Sequence, residues 1–269
     1  MYTLLETIGQ GAFGSVHIAL KNGTKYVMKV VPAEQFTLQS WLNEIDTIRK
    51  VSTIRKTFLQ FHEAFIYSPA TKETFYDTDF DISDYIGLEY ILVTEYIENA
   101  ISLFDYSLMS PIAKQELFIA RELVEQLMLL HAFGIVHGDI KPGNVIVVPH
   151  EGKISRILFI DFGLSCIVKD CYLGGTLGYA APEIDPGLLL TFEEAKKTDV
   201  YSLGVVFQEM GRGTNCSLLK ELGANLTLPN ASIRFTLKAA LGKLNKYSVV
   251  TVRPPVRKVK KKGRSVTPF

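Results

Sequence analysis

Two short stretches hold most of the chemistry in this chain. His137-Gly-Asp-Ile-Lys-Pro-Gly-Asn144 is followed by Asp161-Phe-Gly163, so Asp139, Lys141, Asn144 and Asp161 supply three oxygen-bearing groups and one cation in a fixed order. Transfer of the terminal phosphoryl group of ATP to an alcohol requires little covalent chemistry from a protein. It requires an oriented hydroxyl, a held Mg²⁺ ion and neutralised charge. These four residues can meet those needs.

Further groups lie upstream. Gly9-x-Gly11-x-x-Gly14-x-Val16 falls between two strand-like runs, where glycines let backbone amides close over a phosphate chain without side-chain clashes. A strand on both sides disfavours the dinucleotide-binding version of such a pattern, which opens a helix; a hairpin rich in glycine for turn reasons is the plain alternative. Phe13, at the loop tip, is placed to cap the phosphates. Lys29 sits among Val27, Met28, Val30 and Val31, and a lysine flanked by apolar residues in a strand is costly unless an anion meets it. An edge lysine facing water is the plainer reading. Glu44 could reach Lys29 if its own helix packs on the sheet, with Glu34 and Asp46 as competing carboxylates.

These groups need elements to position them. Residues 2–31 alternate apolar and polar positions and predict three antiparallel strands, with Asn22-Gly23 as a hairpin turn. Leu38, Trp41, Leu42, Ile45 and Ile48 recur at helical spacing and predict a helix from about Glu34 to Val51. Two more strands are expected at Phe61–Tyr67 and Leu88–Tyr96, separated by an acidic surface loop containing Asp77, Asp79, Asp81 and Asp84. Beyond residue 97 the pattern turns helical, with helices expected near 101–108, 112–133 and 198–210, which marks a lobe boundary.

With 269 residues, 47% hydrophobic content and a net charge of +1, the chain can bury a full core and is neither compositionally disordered nor a general nucleic-acid coat. Its most apolar long stretch, Leu117 to Val136, carries Arg121, Glu122 and Glu125, and its apolar residues recur at helical spacing, which predicts a packed helix instead of a membrane span. Met1-Tyr-Thr-Leu-Leu-Glu lacks the basic and apolar regions of a secretion signal, so cytosol or nucleus is expected. Cys166, Cys171 and Cys216 are too few for a disulfide framework and are expected as reduced thiols.

The ordered set of motifs resembles the eukaryotic-type protein kinases. His137-x-Asp139-x-Lys141-x-x-Asn144, Asp161-Phe-Gly163, Ala181-Pro-Glu183 and Asp199-Val-Tyr-Ser-Leu-Gly204 occur in that family's order, and the likeness runs from about residue 4 to 210. It implies an α+β, bilobal protein-kinase-like fold: a nucleotide-binding lobe over 1–97, an abridged, mainly helical catalytic lobe over 98–252, and a basic tail over 253–269. It also implies that Asp139 orients the acceptor hydroxyl, Lys141 steadies the transferring phosphate, and Asn144 and Asp161 hold Mg²⁺ or Mn²⁺ beside ATP. Gly9, Gly11 and Gly14 would cover the phosphates, and Lys29, held by Glu44, would contact them. Val16 and Val27 would lie above the adenine and Ile146 below. Thr94 would stand at the back, with backbone groups of Glu95 to Ile97 at the edge. His137 is assigned packing beneath Phe162, Asp199 the bracing of the catalytic loop, and Arg253 the role of partner to Glu183.

Lys141, with Gly175-Thr176 ahead of Tyr179-Ala-Ala-Pro-Glu183, resembles the serine/threonine kinases, so the expected partner is a protein offering a Ser or Thr hydroxyl. Gly138 stands where many kinases carry an arginine that pairs with a phosphorylated activation loop, which implies activity independent of that modification. The run Arg257-Lys-Val-Lys-Lys-Lys-Gly-Arg264 suits nuclear import, an acidic surface or nucleic acid, or merely a solubilising tail. Compactness and this tail also resemble kinases of large DNA viruses, although no single residue carries that likeness; the compartment would then be the host's. Two rival readings are a small-molecule phosphotransferase of the aminoglycoside or choline type, which shares His-Gly-Asp and Pro-Gly-Asn, and a catalytically weak pseudokinase scaffold.

Overall fold

A computed structural model describes residues 1–11, 14–54, 58–76, 87–109, 115–167, 171–185 and 187–251. Phe13, the acidic stretch 77–84, Arg253 and the basic tail lie outside the described residues.

The alternating N-terminal pattern forms β1 (Thr3–Gly11), β2 (Gly14–Lys21) and β3 (Thr24–Pro32), followed by α1 (Gln35–Ile54), β4 (Phe61–Tyr67), β5 (Thr74–Phe75) and β6 (Glu89–Glu95). The strands make one antiparallel sheet in the order β1-β2-β3-β6-β4-β5. Left-handed backbone at Asn22 (φ 51°) and Gly23 (φ 77°) closes the β2–β3 hairpin as its sequence predicts.

Strand pairing sorts the side chains onto two faces. Ala19, Met28, Phe65, Ile91 and Val93 form a small outer cluster, while Val31, Leu92, Trp41, Ile45 and Ile48 join the main core under α1. Trp41 fixes the helix to the sheet by stacking on Tyr90 with ring centroids 4.8 Å apart and donating from Nε1 to the Ile91 carbonyl at 3.3 Å. In the first turn of the helix the Thr37 hydroxyl reaches back to accept from the Glu34 amide at 3.1 Å, satisfying a donor just ahead of the helix.

The rest of the chain continues as β7 (Ile101–Ser102), α2 (Leu103–Met109), α3 (Glu116–Ala132), β8 (Ile135–Val136), a single 3-10 turn (Pro142–Asn144), β9 (Val145–His150), β10 (Lys153–Phe159), β11 (Cys166–Ile167), β12 (Cys171–Tyr172), β13 (Leu189–Leu190), α4 (Phe192–Thr214), α5 (Ser217–Leu226) and α6 (Leu237–Thr251). Strands β10, β9 and β7 form a second sheet, and β11 pairs with β8 and β12 with β13. Ile119, Leu123, Leu127 and Leu130 of α3 are fully buried in the same core as Val145, Leu203, Val206 and Phe207. This is the α+β, two-part architecture expected of the chain.

Helix α4 begins at Phe192, ahead of the residue 198 expected, because Thr191 and Glu194 form a reciprocal capping box: the Thr191 hydroxyl accepts from the Glu194 amide and the Glu194 carboxylate accepts from the Thr191 amide. Asn215 ends it in a left-handed cap at φ 56°. No helix among the described residues is long and apolar enough to cross a membrane.

Candidate active site

Each motif is carried by a different element. Pairing places Gly9 opposite Val16 and Val16 opposite Lys29, and it places Val27 opposite Thr94. Because residues two apart share a face, Gly9, Val16, Val27, Lys29 and Thr94 line one side of the first sheet. Ile146 lies on β9 in the second sheet, paired with Leu158 and Ser102, and Ile97 lies in the segment joining the two sheets. The Gly14 backbone (φ 153°) runs so near β3 that a Cβ there would meet the Val30 carbonyl oxygen at 2.1 Å, so only glycine fits.

Lys29 Nζ donates to Glu44 Oε2 at 2.7 Å and to Asp161 Oδ1 at 2.9 Å. Of the three candidate carboxylates the structure chooses Glu44, which points inward from α1 and is buried, while Glu34 and Asp46 are exposed. The same helix meets the segment after Asp161: Ser40 Oγ donates to the Gly163 carbonyl at 3.1 Å, and the Thr47 and Ser165 hydroxyls are 2.6 Å apart. Burial works to lower the Lys29 pKa, but the charges of Glu44 and Asp161 outweigh it and hold the amine above its ordinary value. Burial likewise opposes ionisation of Asp161, yet Lys29 draws that carboxyl below the usual range. Glu44 is raised, burial being the larger influence and Lys29 the opposing one.

A second polar cluster surrounds Asp139. Its Oδ2 accepts from Lys141 Nζ at 2.6 Å and from Asn144 Nδ2 at 2.9 Å, and its Oδ1 accepts from the Thr176 hydroxyl at 2.7 Å. Lys141 Nζ also donates to Thr176 Oγ1 at 2.7 Å. Asn144 Nδ2 donates again to the Asp139 carbonyl, so its amide oxygen is the atom that remains for a cation.

Beneath this loop Asp199 accepts from the His137 amide and the Gly138 amide, each at 2.9 Å, and lies 2.9 Å from His131 Nε2. The His137 ring is fully buried against Phe162 and Phe159, with Nε2 3.1 Å from the Ile160 carbonyl, and burial lowers its pKa. Gly138, at φ 81°, faces the Leu164 carbonyl oxygen, which a Cβ would meet at 2.3 Å. The missing arginine is therefore a steric requirement of this loop as well as a lost charge.

Two expectations need correction. Cys166 and Cys171 form a disulfide with Cα atoms 6.0 Å apart; β11 and β12, anchored on β8 and β13, bring the two cysteines together at that distance. Of the three thiols only Cys216 is free. Glu183 is met by Arg234, with Nη1 to Oε1 at 2.7 Å and Nη2 to Oε2 at 3.0 Å. Arg234 lies between α5 and α6, earlier than the Arg253 expected. Its guanidinium also donates to the carbonyls of Lys197, Leu228 and Pro229. Thr176 was legible only as part of a motif; its hydroxyl turns out to bridge Asp139 and Lys141.

Comparison with known proteins gives the family. The protein kinase domain family matches residues 2–227. The chain belongs to that family. It is similar to the serine/threonine-protein kinase ppk6 of Schizosaccharomyces pombe, with 30% identity over 214 residues, covering 76% of this chain and 25% of the relative. It is similar to the serine/threonine-protein kinase PSK2 of Saccharomyces cerevisiae at 29% identity, covering 76% of this chain and 18% of the relative. Calcium/calmodulin-dependent protein kinase type 1B of Rattus norvegicus is 30% identical over 215 residues, covering 77% of this chain and 55% of the relative. The chain thus spans about half the length of these relatives or less.

Kinase domains as a family use ATP and a divalent cation. The donors here fit a cation of the hard class, since Asp161, with 43% of its side chain exposed, and the Asn144 amide present oxygen. No cluster of three or more His, Cys, Asp or Glu side chains among the described residues could hold a metal unaided, so phosphate oxygens of the nucleotide would complete the shell.

Proposed function

We propose that the protein is an ATP-dependent serine/threonine protein kinase. The observation that supports this most is the convergence of Lys29 with Glu44 and Asp161 at 2.7 and 2.9 Å. These groups come from β3, from α1 and from the loop after β10, and a nucleotide site between the two sheets gives the arrangement a use.

In this reading residues 1–97 bind nucleotide and 98–252 carry catalysis. Gly9, Gly11 and Gly14 cover the phosphates, and Lys29, oriented by Glu44, contacts them. Val16, Val27 and Ile146 sandwich the adenine, with Thr94 behind it and the backbone of Glu95 and Ile97 at its edge. Asn144 and Asp161 hold Mg²⁺, or Mn²⁺, which when bound neutralises phosphate charge. Asp139, its carboxylate aimed by three donors, orients the acceptor hydroxyl and takes its proton, while Lys141 steadies the phosphate leaving ATP. Thr176, joined to both Asp139 and Lys141, supports a Ser or Thr acceptor on a protein. The Glu183–Arg234 pair, which ties the activation segment to the helical part, supports protein over a small alcohol as substrate.

Incubation of the purified protein with radiolabelled ATP, protein acceptors, and an aminoglycoside and choline panel tests this reading. Label on protein serine or threonine is expected; label only on the small alcohols, or on nothing, refutes it. Gly138 adds that activity does not need a phosphorylated activation segment, so complete dephosphorylation should leave the rate unchanged. The basic tail is proposed to direct the protein to the nucleus, and a fluorescent fusion losing nuclear signal on removal of residues 253–269 is the expected outcome.

A further inference from the structure

The segment joining the two sheets is not their only tie near the nucleotide site. Glu95, the last residue of β6, receives a two-pronged contact from Arg156 of β10: Nη2 to Oε1 at 2.9 Å and Nη1 to Oε2 at 3.3 Å. Arg156 Nη2 also donates to the Phe58 carbonyl at 3.1 Å. The Gln60 amide donates to Glu95 Oε1 at 3.1 Å, and the Glu95 amide donates to the Gln60 carbonyl at 3.0 Å. One guanidinium therefore gathers the end of the first sheet, the stretch that follows α1, and a strand of the second sheet.

Local structure explains how Arg156 reaches this place. The β9–β10 register slips between Ile154 and Arg156, with Ile154 opposite Pro149 and Arg156 opposite Val148. Such a bulge re-aims the side chains that follow it. The Arg156 and Glu95 side chains are 25% and 26% exposed, so the pair is mostly shielded and its planar, two-point geometry matters more than at an open surface.

We propose that Arg156 is a positioning residue for nucleotide binding: through Glu95 it holds the two sheets at the separation the nucleotide requires. The idea rests on the kinase reading above. At this edge the two sheets are joined by the short segment between β6 and β7, and a second tie beside it makes rotation about that segment cost a mostly shielded ion pair. The residues assigned to the adenine lie on both sides of this joint, Val16 and Val27 on one and Ile146 on the other. The clamp is closed in the same arrangement in which Lys29 already meets Glu44 and Asp161, so it favours the productive separation.

The test is nucleotide binding by calorimetry, followed by steady-state kinetics, on the parent, Arg156→Met, Glu95→Gln and Arg156→Lys. Both charge-removing variants should weaken ATP binding and raise its KM by about five- to tenfold, and Arg156→Met, which lies outside the site, should keep kcat and the KM for the protein acceptor within about twofold. The double variant should be no worse than the poorer single one, and Arg156→Lys, which keeps the charge but loses the fork, should recover part of the affinity. A parent that binds no ATP defeats the kinase reading itself. A parent that binds ATP with variants that bind equally well overturns the clamp, as does a fall of kcat and affinity in step with thermal stability in both Arg156→Met and the gentler Glu95→Gln.

Discussion

The two polar clusters of the site are built differently. Around Asp139 the donors are near neighbours, Lys141 and Asn144, joined by Thr176 and braced from below by Asp199, which is 1% exposed at its side chain. Around Lys29 the partners stand far apart in sequence, on α1 and after β10, and Lys29 and Asp161 keep 28% and 43% of their side chains exposed. The core of the first cluster is set by its own loop, with Thr176 and Asp199 brought to it from further along the chain. The second exists only while α1 is docked against the sheet and against Gly163 and Ser165, so it is where activity can be gained or lost by movement.

That contrast can be broken at several points. Asp139→Asn removes the proposed proton acceptor but keeps the shape, and should lower kcat by about 10³-fold while ATP affinity changes little; retention of the parental rate would remove Asp139 from the mechanism. Arg234→Met leaves Glu183 without its cation in a site where the arginine side chain is 1% exposed, and should cost about 3 kcal/mol of stability in denaturant unfolding. Glu44→Gln attacks the movable cluster, and should reduce kcat/KM by about tenfold to a hundredfold with stability nearly intact, because Lys29 keeps Asp161. A loss equal to that of Asp139→Asn would mean that the two clusters act as one unit.

The smaller effects concern the frame. Reducing the Cys166–Cys171 bridge, which closes a loop with a sequence separation of 5, should cost about 2 kcal/mol, seen as a fall in Tm under reductant that a Cys171→Ser variant no longer shows. His137 is buried with its pKa below the ordinary value near 6.5. Below that pH the unfolded chain takes up a proton that the folded one refuses, so stability should drop as pH falls from about 6.5 toward the depressed folded value. The slope is at most about 1.4 kcal/mol per pH unit, and His137→Phe should flatten it.

Local pattern carried much of this. Alternation and the Asn22-Gly23 turn mark the first three strands, the spacing of Trp41, Ile45 and Ile48 marks α1, and the order of motifs marks the family. The start of α4 was also legible, in the Thr191 and Glu194 capping pair, but helical periodicity alone passed over it. Arg234 had no local signal: it sits in a connection, and a guanidinium chooses its carboxylate by where the chain folds back.

What the sequence determined by itself is the set of groups and their order along the chain, because backbone periodicity and motif spacing depend on neighbours. Tertiary structure decided that Glu44 and not Glu34 or Asp46 meets Lys29, that Arg234 holds Glu183, that Cys166 and Cys171 are bonded, and that Arg156 spans the joint to Glu95. Each of those is a contact between groups whose energy depends on distance and burial, and both quantities come into being only when separate elements pack.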